Sequence, residues 1–265
     1  MIVEGKHGQY DVGKAVAETT EYRLRLATEV GTGRQCLIQV AIDAVNNGSL
    51  DRNAYFLHEL KARSDELEEE YEQVKKDPNI MLNYHFGFPA ILDTFVVKDQ
   101  GDRRVNVLAF NGVNNVSSMW PVSKIVKNGR RIDIRSSAWI FGKLLKLLIF
   151  AHSQDILVSN LQASNILIEP DEHYVLIFDW SDAKPGVISP EMARKEIADV
   201  ARVVIALLGG DTVSRIVPLK GNENGFEPYT DRLFQLAAGS SADAKDAHKA
   251  FYALLRTLGW KHFHP

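Results

Sequence analysis

The spacing of apolar residues changes period near residue 111, and that change limits the folds open to the chain. Before it, residues 10–16, 22–28 and 35–42 alternate or run apolar and are rich in β-branched side chains, the pattern of half-buried and buried strands. Gly31-Thr32-Gly33 supplies a turn between the second and third. A long helical segment follows over about residues 53–76, with Leu57, Leu60, Leu67, Tyr71 and Val74 near helical spacing. Two more strands, 90–97 and 104–110, flank the turn-like Asp99-Gln100-Gly101-Asp102. After the connector 111–115 the chain reads mostly as helices, over 135–153, 191–208, 229–238 and 242–258. One strand pair, 166–168 and 175–178, interrupts them around the turn 170–173. No internal repeat is present. The expected architecture is α+β: a small antiparallel-sheet lobe over residues 1–110 holding one helix, then a larger helical lobe over 111–265.

Composition removes most other classes. The 265 residues carry a formal charge of −3, with 45% hydrophobic and 25% charged residues, which suits a globular chain and not a disordered one. Near-neutral charge gives no electrostatic reason to expect nucleic acid or an anionic membrane as the partner. Cys36 is the single cysteine, so no internal disulfide and no cysteine-based zinc site can form. Residues 1–7 have no apolar core of signal-peptide length, and the expected location is the cytoplasm. The most hydrophobic stretch, 138–151, is too short to span a bilayer and carries Lys143 and Lys146, so it reads as a buried helix. The acidic run 65–70 reads as a solvated helix face.

Residues 151–165 read Ala-His-Ser-Gln-Asp-Ile-Leu-Val-Ser-Asn-Leu-Gln-Ala-Ser-Asn and run into Ile166-Leu167-Ile168. This resembles the catalytic loop of eukaryotic-like protein kinases, His-Arg-Asp-Leu-Lys-Pro-x-Asn-Ile-Leu. Val158 takes the His place, Ser159 the Arg, Asn160 the catalytic Asp, Gln162 the Lys and Asn165 the metal-binding Asn. Asp179, followed by Trp180, then falls on the Asp of Asp-Phe-Gly, and Ser189-Pro190-Glu191 resembles Ala-Pro-Glu. Asp199 opens an apolar helix like the family's helix F. The likeness spans roughly residues 10–258 and is closest to a degenerate branch found in bacteria and their phages, carried by 104–108, 138–145 and 206–211.

The resemblance implies a damaged catalytic apparatus. Active kinases use a carboxylate to accept the substrate proton, a lysine on the α and β phosphates, and two groups on magnesium. Asn160 cannot accept a full proton near neutral pH, and Asp155 could replace it only in a rebuilt loop. Gln39 stands where the β3 lysine belongs and neutralises no phosphate charge. The glutamate that pairs with that lysine falls on Glu68 or Glu69. The glycine-rich loop aligns with Ala17-Glu18-Thr19-Thr20-Glu21-Tyr22, where no glycine lets the backbone approach phosphates. Asn165 and Asp179 remain as hard oxygen ligands suited to Mg²⁺, although an Asn there also serves to satisfy loop backbone groups. Asp199 is expected to anchor the catalytic loop through backbone N–H groups. For Glu191 the partner is left open between Lys245, Arg256 and none. Only twelve steps separate Asp179 from Glu191, short for the segment on which the family builds its peptide platform.

Elsewhere, His248, His262 and His264 read as surface histidines, and the neighbours His152 and Ser153 face different directions on a helix. Trp139, Phe141 and Phe150 read as core; Trp260, Phe263 and Pro265 read either as packing or as an exposed anchor. The leading expectation is a pseudokinase, a protein-binding regulatory module without a tightly held cofactor, in which Mg²⁺–ATP binds weakly at best. The alternatives are an atypical ATP/Mg²⁺-dependent phosphotransferase using Asn165 and Asp179, and a relative of small-molecule kinases, whose Asp-Trp-x-x-Ala resembles Asp179-Trp180-Ser181-Asp182-Ala183.

Overall fold

The computed structural model describes residues 1–75, 81–113, 115–171 and 173–260. It divides into two compact units, one of Met1–Met119 with Ile168–Asp182, the other of Trp120–Leu167 with Ala183–Pro265. The sequence suggests a boundary at residue 110. Residues 168–182 cluster with the first unit because Phe178 and Trp180 bury their rings there, against Tyr22 and Phe88.

In chain order the elements are β1 (Ile2–Glu4), β2 (Gln9–Glu18), β3 (Tyr22–Glu29), β4 (Gln35–Ala41), α1 (Asn47–Val74), β5 (Ala90–Val97) and β6 (Arg103–Ala109). Then follow β7 (Trp120–Pro121), α2 (Val122–Lys127), α3 (Ile134–Ser153), β8 (Ile156–Leu157), β9 (Ile166–Glu169), β10 (Tyr174–Ile177), β11 (Lys184–Pro185), α4 (Pro190–Leu207), α5 (Glu227–Ala237) and α6 (Ala244–Thr257). Every strand expected from the apolar pattern is present within a few residues. β1, β7, α2, β8 and β11, too short for a periodic signal, are additions.

The first unit is built on a six-stranded sheet in the order β1-β2-β3-β4-β6-β5, antiparallel throughout. β4 runs apolar and not alternating because both its faces are covered. Cys36 and Ile38 join Tyr10, Val12, Ala27, Phe95, Val105 and Val107 on one face. On the other, Leu37, Gln39 and Ala41 lie on the side taken by α1, whose buried residues are Leu50, Asn53, Ala54, Phe56, Leu57, Leu60 and Ser64. The acidic end of α1 is solvated as expected, with Asp65, Glu66, Glu69 and Glu70 exposed. Lys61 pairs with Asp65 one turn away at 2.5 Å.

The second unit is helical and centred on α3. Its residues Ala138, Ile140, Phe141, Leu144, Leu145, Leu147, Leu148, Phe150 and Ala151 are all buried, as the hydrophobicity around the whole helix requires, while Trp139 is only half-buried. Asp133 caps the helix by accepting from the N–H groups of Arg135 and Ser136, at 2.9 and 3.0 Å. α4 and α6 pack on α3, and α5 packs on α4. Gly142 makes the α3–α6 approach possible, since a Cβ there would stand 2.5 Å from the Tyr252 hydroxyl. No helix among the described residues is long and apolar enough to cross a membrane.

At the C-terminal end one alternative is decided and one expectation changes. Trp260 is buried, stacked at a tilt on Phe226 and Tyr229, so of its two readings it is a packing residue. His248 is no surface histidine: it is half-buried against the Tyr252 ring on α6, one turn along the same helix. His262, Phe263, His264 and Pro265 lie outside the described residues. Burial, with Lys146 adding to it, pushes His248 down to about 4. A histidine whose folded pKa is depressed stabilises the fold fully above the unfolded value near 6.5 and loses that contribution as pH falls toward about 4, because the unfolded chain takes the proton first. The melting temperature of the wild type is therefore expected to drop more steeply between pH 6.5 and 4 than that of His248→Gln, measured side by side by circular dichroism. Parallel curves would show that His248 does not titrate differently on unfolding.

Candidate functional site

Gln39 sits in the middle of β4 with only 1% of its surface exposed, and such a group needs partners. Register supplies one of them directly. Gln39 is paired with Asn106 on β6, and Asn106 with Thr94 on β5, so three polar side chains form one row across the sheet. Asn106 Nδ2 donates to Gln39 Oε1 at 3.2 Å and to the Leu50 carbonyl at 2.8 Å, and Thr94 donates to Asn106 Oδ1 at 3.0 Å. The second partner comes from α1: Asn53 Nδ2 donates to the same Gln39 Oε1 at 2.9 Å. Asn53 Oδ1 then accepts the backbone N–H of Trp180 at 2.8 Å.

The orientation of every amide in this network follows from backbone groups at its two ends. The Trp180 N–H can only donate, so Asn53 must turn its oxygen toward it and its NH₂ toward Gln39. The Leu50 carbonyl can only accept, which fixes Asn106 the same way. Gln39 therefore presents its oxygen to both, and its Nε2 has no hydrogen-bond partner among the described residues. Helix α1 thus meets β4 through Asn53. Glu68 does not face Gln39; it accepts the N–H groups of Leu82 and Asn83, both at 3.3 Å, and Glu69 is exposed. The signal for Asn53 was present in the sequence, because it lies on the stripe Leu50, Asn53, Ala54, Leu57, Leu60 that α1 buries.

Asp179 is 3% exposed and belongs to the same unit. Its Oδ1 accepts the Ser181 N–H at 2.9 Å. Burial raises its pKa above the usual carboxylate range in spite of this hydrogen bond. Trp180 is fully buried, donates from its indole to the Ile177 carbonyl at 2.9 Å, and meets Phe88 edge-on. Tyr22 begins β3 just after the hairpin turn that aligns with the glycine-rich loop. Thr19 closes that turn: its N–H donates to the Tyr22 carbonyl at 2.9 Å and its hydroxyl oxygen accepts the N–H groups of Glu21 and Tyr22.

In the second unit, residues 155–165 form a tight loop. Asp155 is exposed in the left-handed region at the end of α3, and nothing rebuilds the loop to bring it into the place of Asn160. Ser159 is also left-handed, at φ 66°. The Asn160 N–H bonds the Val158 carbonyl at 2.8 Å, and Asn165 Nδ2 holds the Asn160 carbonyl at 2.9 Å. Asn165, 3% exposed, thus satisfies loop backbone groups. Asn165 lies in the second unit and Asp179 in the first. Among the described residues no three His, Cys, Asp or Glu side chains gather as a metal would require.

The carboxylate that holds this loop is Glu196, not Asp199. Glu196 is 2% exposed, accepts the Ser159 N–H at 2.5 Å and takes His152 Nε2 at 2.7 Å. Asp199 lies on the outer side of α4 between Lys195 and Arg202, both at 2.7 Å. The α4 pattern explains the difference: Ala193, Glu196, Ile197 and Val200 share the buried stripe, and Asp199 falls beside it. Glu191 is exposed and makes no ion pair with Lys245, Arg256 or any other described residue. Glu196→Ala is expected to cost about 2–4 kcal/mol by leaving the Ser159 N–H and His152 without their buried acceptor, whereas Asp199→Ala should cost under about 1 kcal/mol. Urea denaturation of the two variants checks the order, and equal costs would remove Glu196 from the anchoring role. Gln39→Lys should likewise cost about 2–4 kcal/mol, since two buried NH₂ groups would then face a cation in place of their acceptor. A Gln39→Lys variant as stable as wild type would mean the amide network contributes little.

No protein-family model matches the sequence. No curated protein matches it either. Among solved structures, the kinase domain of Mycobacterium tuberculosis PknI, crystallised as a double mutant, is similar over 95% of this chain and 96% of its own, with a TM-score of 0.56 at 13% sequence identity. At that identity the likeness speaks for the fold, and it agrees with the curled antiparallel sheet of the first unit and the helices of the second: the chain has the protein-kinase-like fold.

Proposed function

We propose that this chain is a pseudokinase, a kinase-shaped module that acts by binding a protein partner and does not transfer phosphate. The observation that carries the reading is the Gln39–Asn53–Asn106 network. Where a kinase sets a lysine against a helix glutamate, neutral amides stand in place of both charges, with Asn53 donating to Gln39 Oε1. A lost lysine alone would leave a buried carboxylate without a partner; here nothing charged is left over. The neutral pair holds α1 on the sheet, but it supplies no cation for a phosphate.

Magnesium and ATP fit the remaining groups poorly. The Asp179 carboxylate already accepts the Ser181 N–H, and burial favours its neutral form. Asn165 spends its amide on the loop backbone. Asn160, aligned with the catalytic base, offers an amide in place of a carboxylate. The hairpin turn carries Tyr22 and two glutamates where phosphate oxygens would need backbone N–H groups.

Purified protein is expected to transfer no radiolabelled phosphate from ATP to itself or to generic protein and small-molecule acceptors, and to show no shift in melting temperature at millimolar Mg²⁺–ATP. The double variant Asn160→Asp/Gln39→Lys should remain inactive, because Asn53 offers the new lysine no carboxylate. Transfer by wild type that Asp179→Ala abolishes would make the protein an atypical phosphotransferase.

A further inference from the structure

We infer that a groove along α4 in the second unit takes an extended acidic segment of a protein partner, one with two acidic side chains four residues apart around an apolar one. This rests on the protein-binding part of the reading above and adds to it a surface and the chemistry of what that surface takes. The groove has a volume of about 720 Å³ and runs between α4 and the chain just after α5. Arg194, Ala198 and Arg202 line it from α4, recurring every four residues along the helix. Ala238 and Gly239 line it from the other side. The small side chains of Ala198 and Ala238 leave room for a partner's backbone to come close.

Charge decides the occupant. A Cβ at Gly239, whose φ is 84°, would stand 3.0 Å from Arg194 Cδ, so the Arg194 stem lies along that glycine. Arg194 is exposed, and its guanidinium makes no hydrogen bond or ion pair with any described residue. Arg202 is pinned by donating to the Ala237 carbonyl at 2.8 Å and to Asp199 at 2.7 Å, yet its side chain stays 49% exposed with N–H donors to spare. Lys195 adds a third exposed cation. Two carboxylates stand against these three cations: Asp199, already shared by Lys195 and Arg202, and Glu191 at the N-terminal end of the helix. Positive charge is in excess, and Arg194 is the cation without a counter-charge. Spacing then sets the pattern of the partner. The helix rises about 12 Å from Arg194 to Arg202. In an extended chain alternate side chains share a face, and four residues span about 13 Å. A Glu-x-Leu-x-Glu segment therefore brings its carboxylates to the two guanidinium groups and its middle side chain over Ala198, beside the exposed Met192.

The test is fluorescence anisotropy on the full-length chain with three labelled peptides, each capped at both ends: Glu-Ser-Leu-Ser-Glu, Lys-Ser-Leu-Ser-Lys and the closely spaced Glu-Leu-Glu. Wild type is expected to bind the first at least tenfold more tightly than either of the others, and less tightly as salt rises. Arg194→Glu should lose at least tenfold in affinity for the first peptide and gain affinity for the lysine peptide. If circular dichroism shows that Arg194→Glu does not fold, Arg194→Gln replaces it, with a loss of at least fivefold expected. Lys249→Glu, at an exposed cation of α6 that does not line the groove, should bind as wild type does. In protein carrying isotope-labelled methionine methyls, the Met192 resonance should shift when the first peptide is added. No binding, equal affinity for the acidic and basic peptides, an equal loss in Lys249→Glu, or an unmoved Met192 methyl would overturn the inference. Phosphate transfer assayed on the same protein separates the two claims. Transfer by wild type sinks the pseudokinase reading whatever the peptides do, whereas failed peptide binding without transfer removes the groove alone.

Discussion

The first unit depends on one oxygen. Gln39 Oε1 is the single acceptor on which Asn53 from α1 and Asn106 from β6 converge, so the helix, the centre of the sheet and, through Asn53, the Trp180 backbone are joined at one buried point. Apolar packing by Leu50, Leu57 and Leu60 supplies the larger share of the free energy, but it is non-directional. The amide contacts make one rotation and one register of α1 better than its neighbours. A helix slid by one residue would leave at least two buried amides without partners, at about 1–3 kcal/mol each.

Much of this was readable from the chain alone, and the parts that were not share a cause. The strands and long helices follow from apolar period, and Asn160, Asn165 and Asp179 could be placed by the order of short motifs. The two assignments that shifted, Glu68 or Glu69 to Asn53 and Asp199 to Glu196, both came from counting along a family pattern to a residue of the expected type. In each case the better guide lay in the helix itself: a polar residue on the stripe that faces the core. Asn53 sits between Leu50 and Leu57, and Glu196 between Ala193 and Val200.

The second unit solves a similar problem with charge retained. Glu196 keeps its carboxylate buried by gathering a backbone N–H and an imidazole, and Arg131 with Glu223 forms a further inward ion pair that also accepts the Ile134 N–H at 3.0 Å. Buried charges thus organise loops of the helical unit, whereas the hydrogen bonds to the Gln39 side chain come from neutral amides. A fold can bury charge in one unit and neutral amides in the other, since the two sets of groups answer to different local demands.

The matched amides also bear on how this sequence can change over generations. Replacing Gln39 by lysine alone meets two donors with no acceptor, and replacing Asn53 by glutamate alone places a carboxylate against amides with no cation. Each route begins with a step uphill in stability, and only the pair taken together restores balance. The network is epistatic in this sense: a charge entering at either position alone is penalised, so the neutral arrangement resists single substitutions.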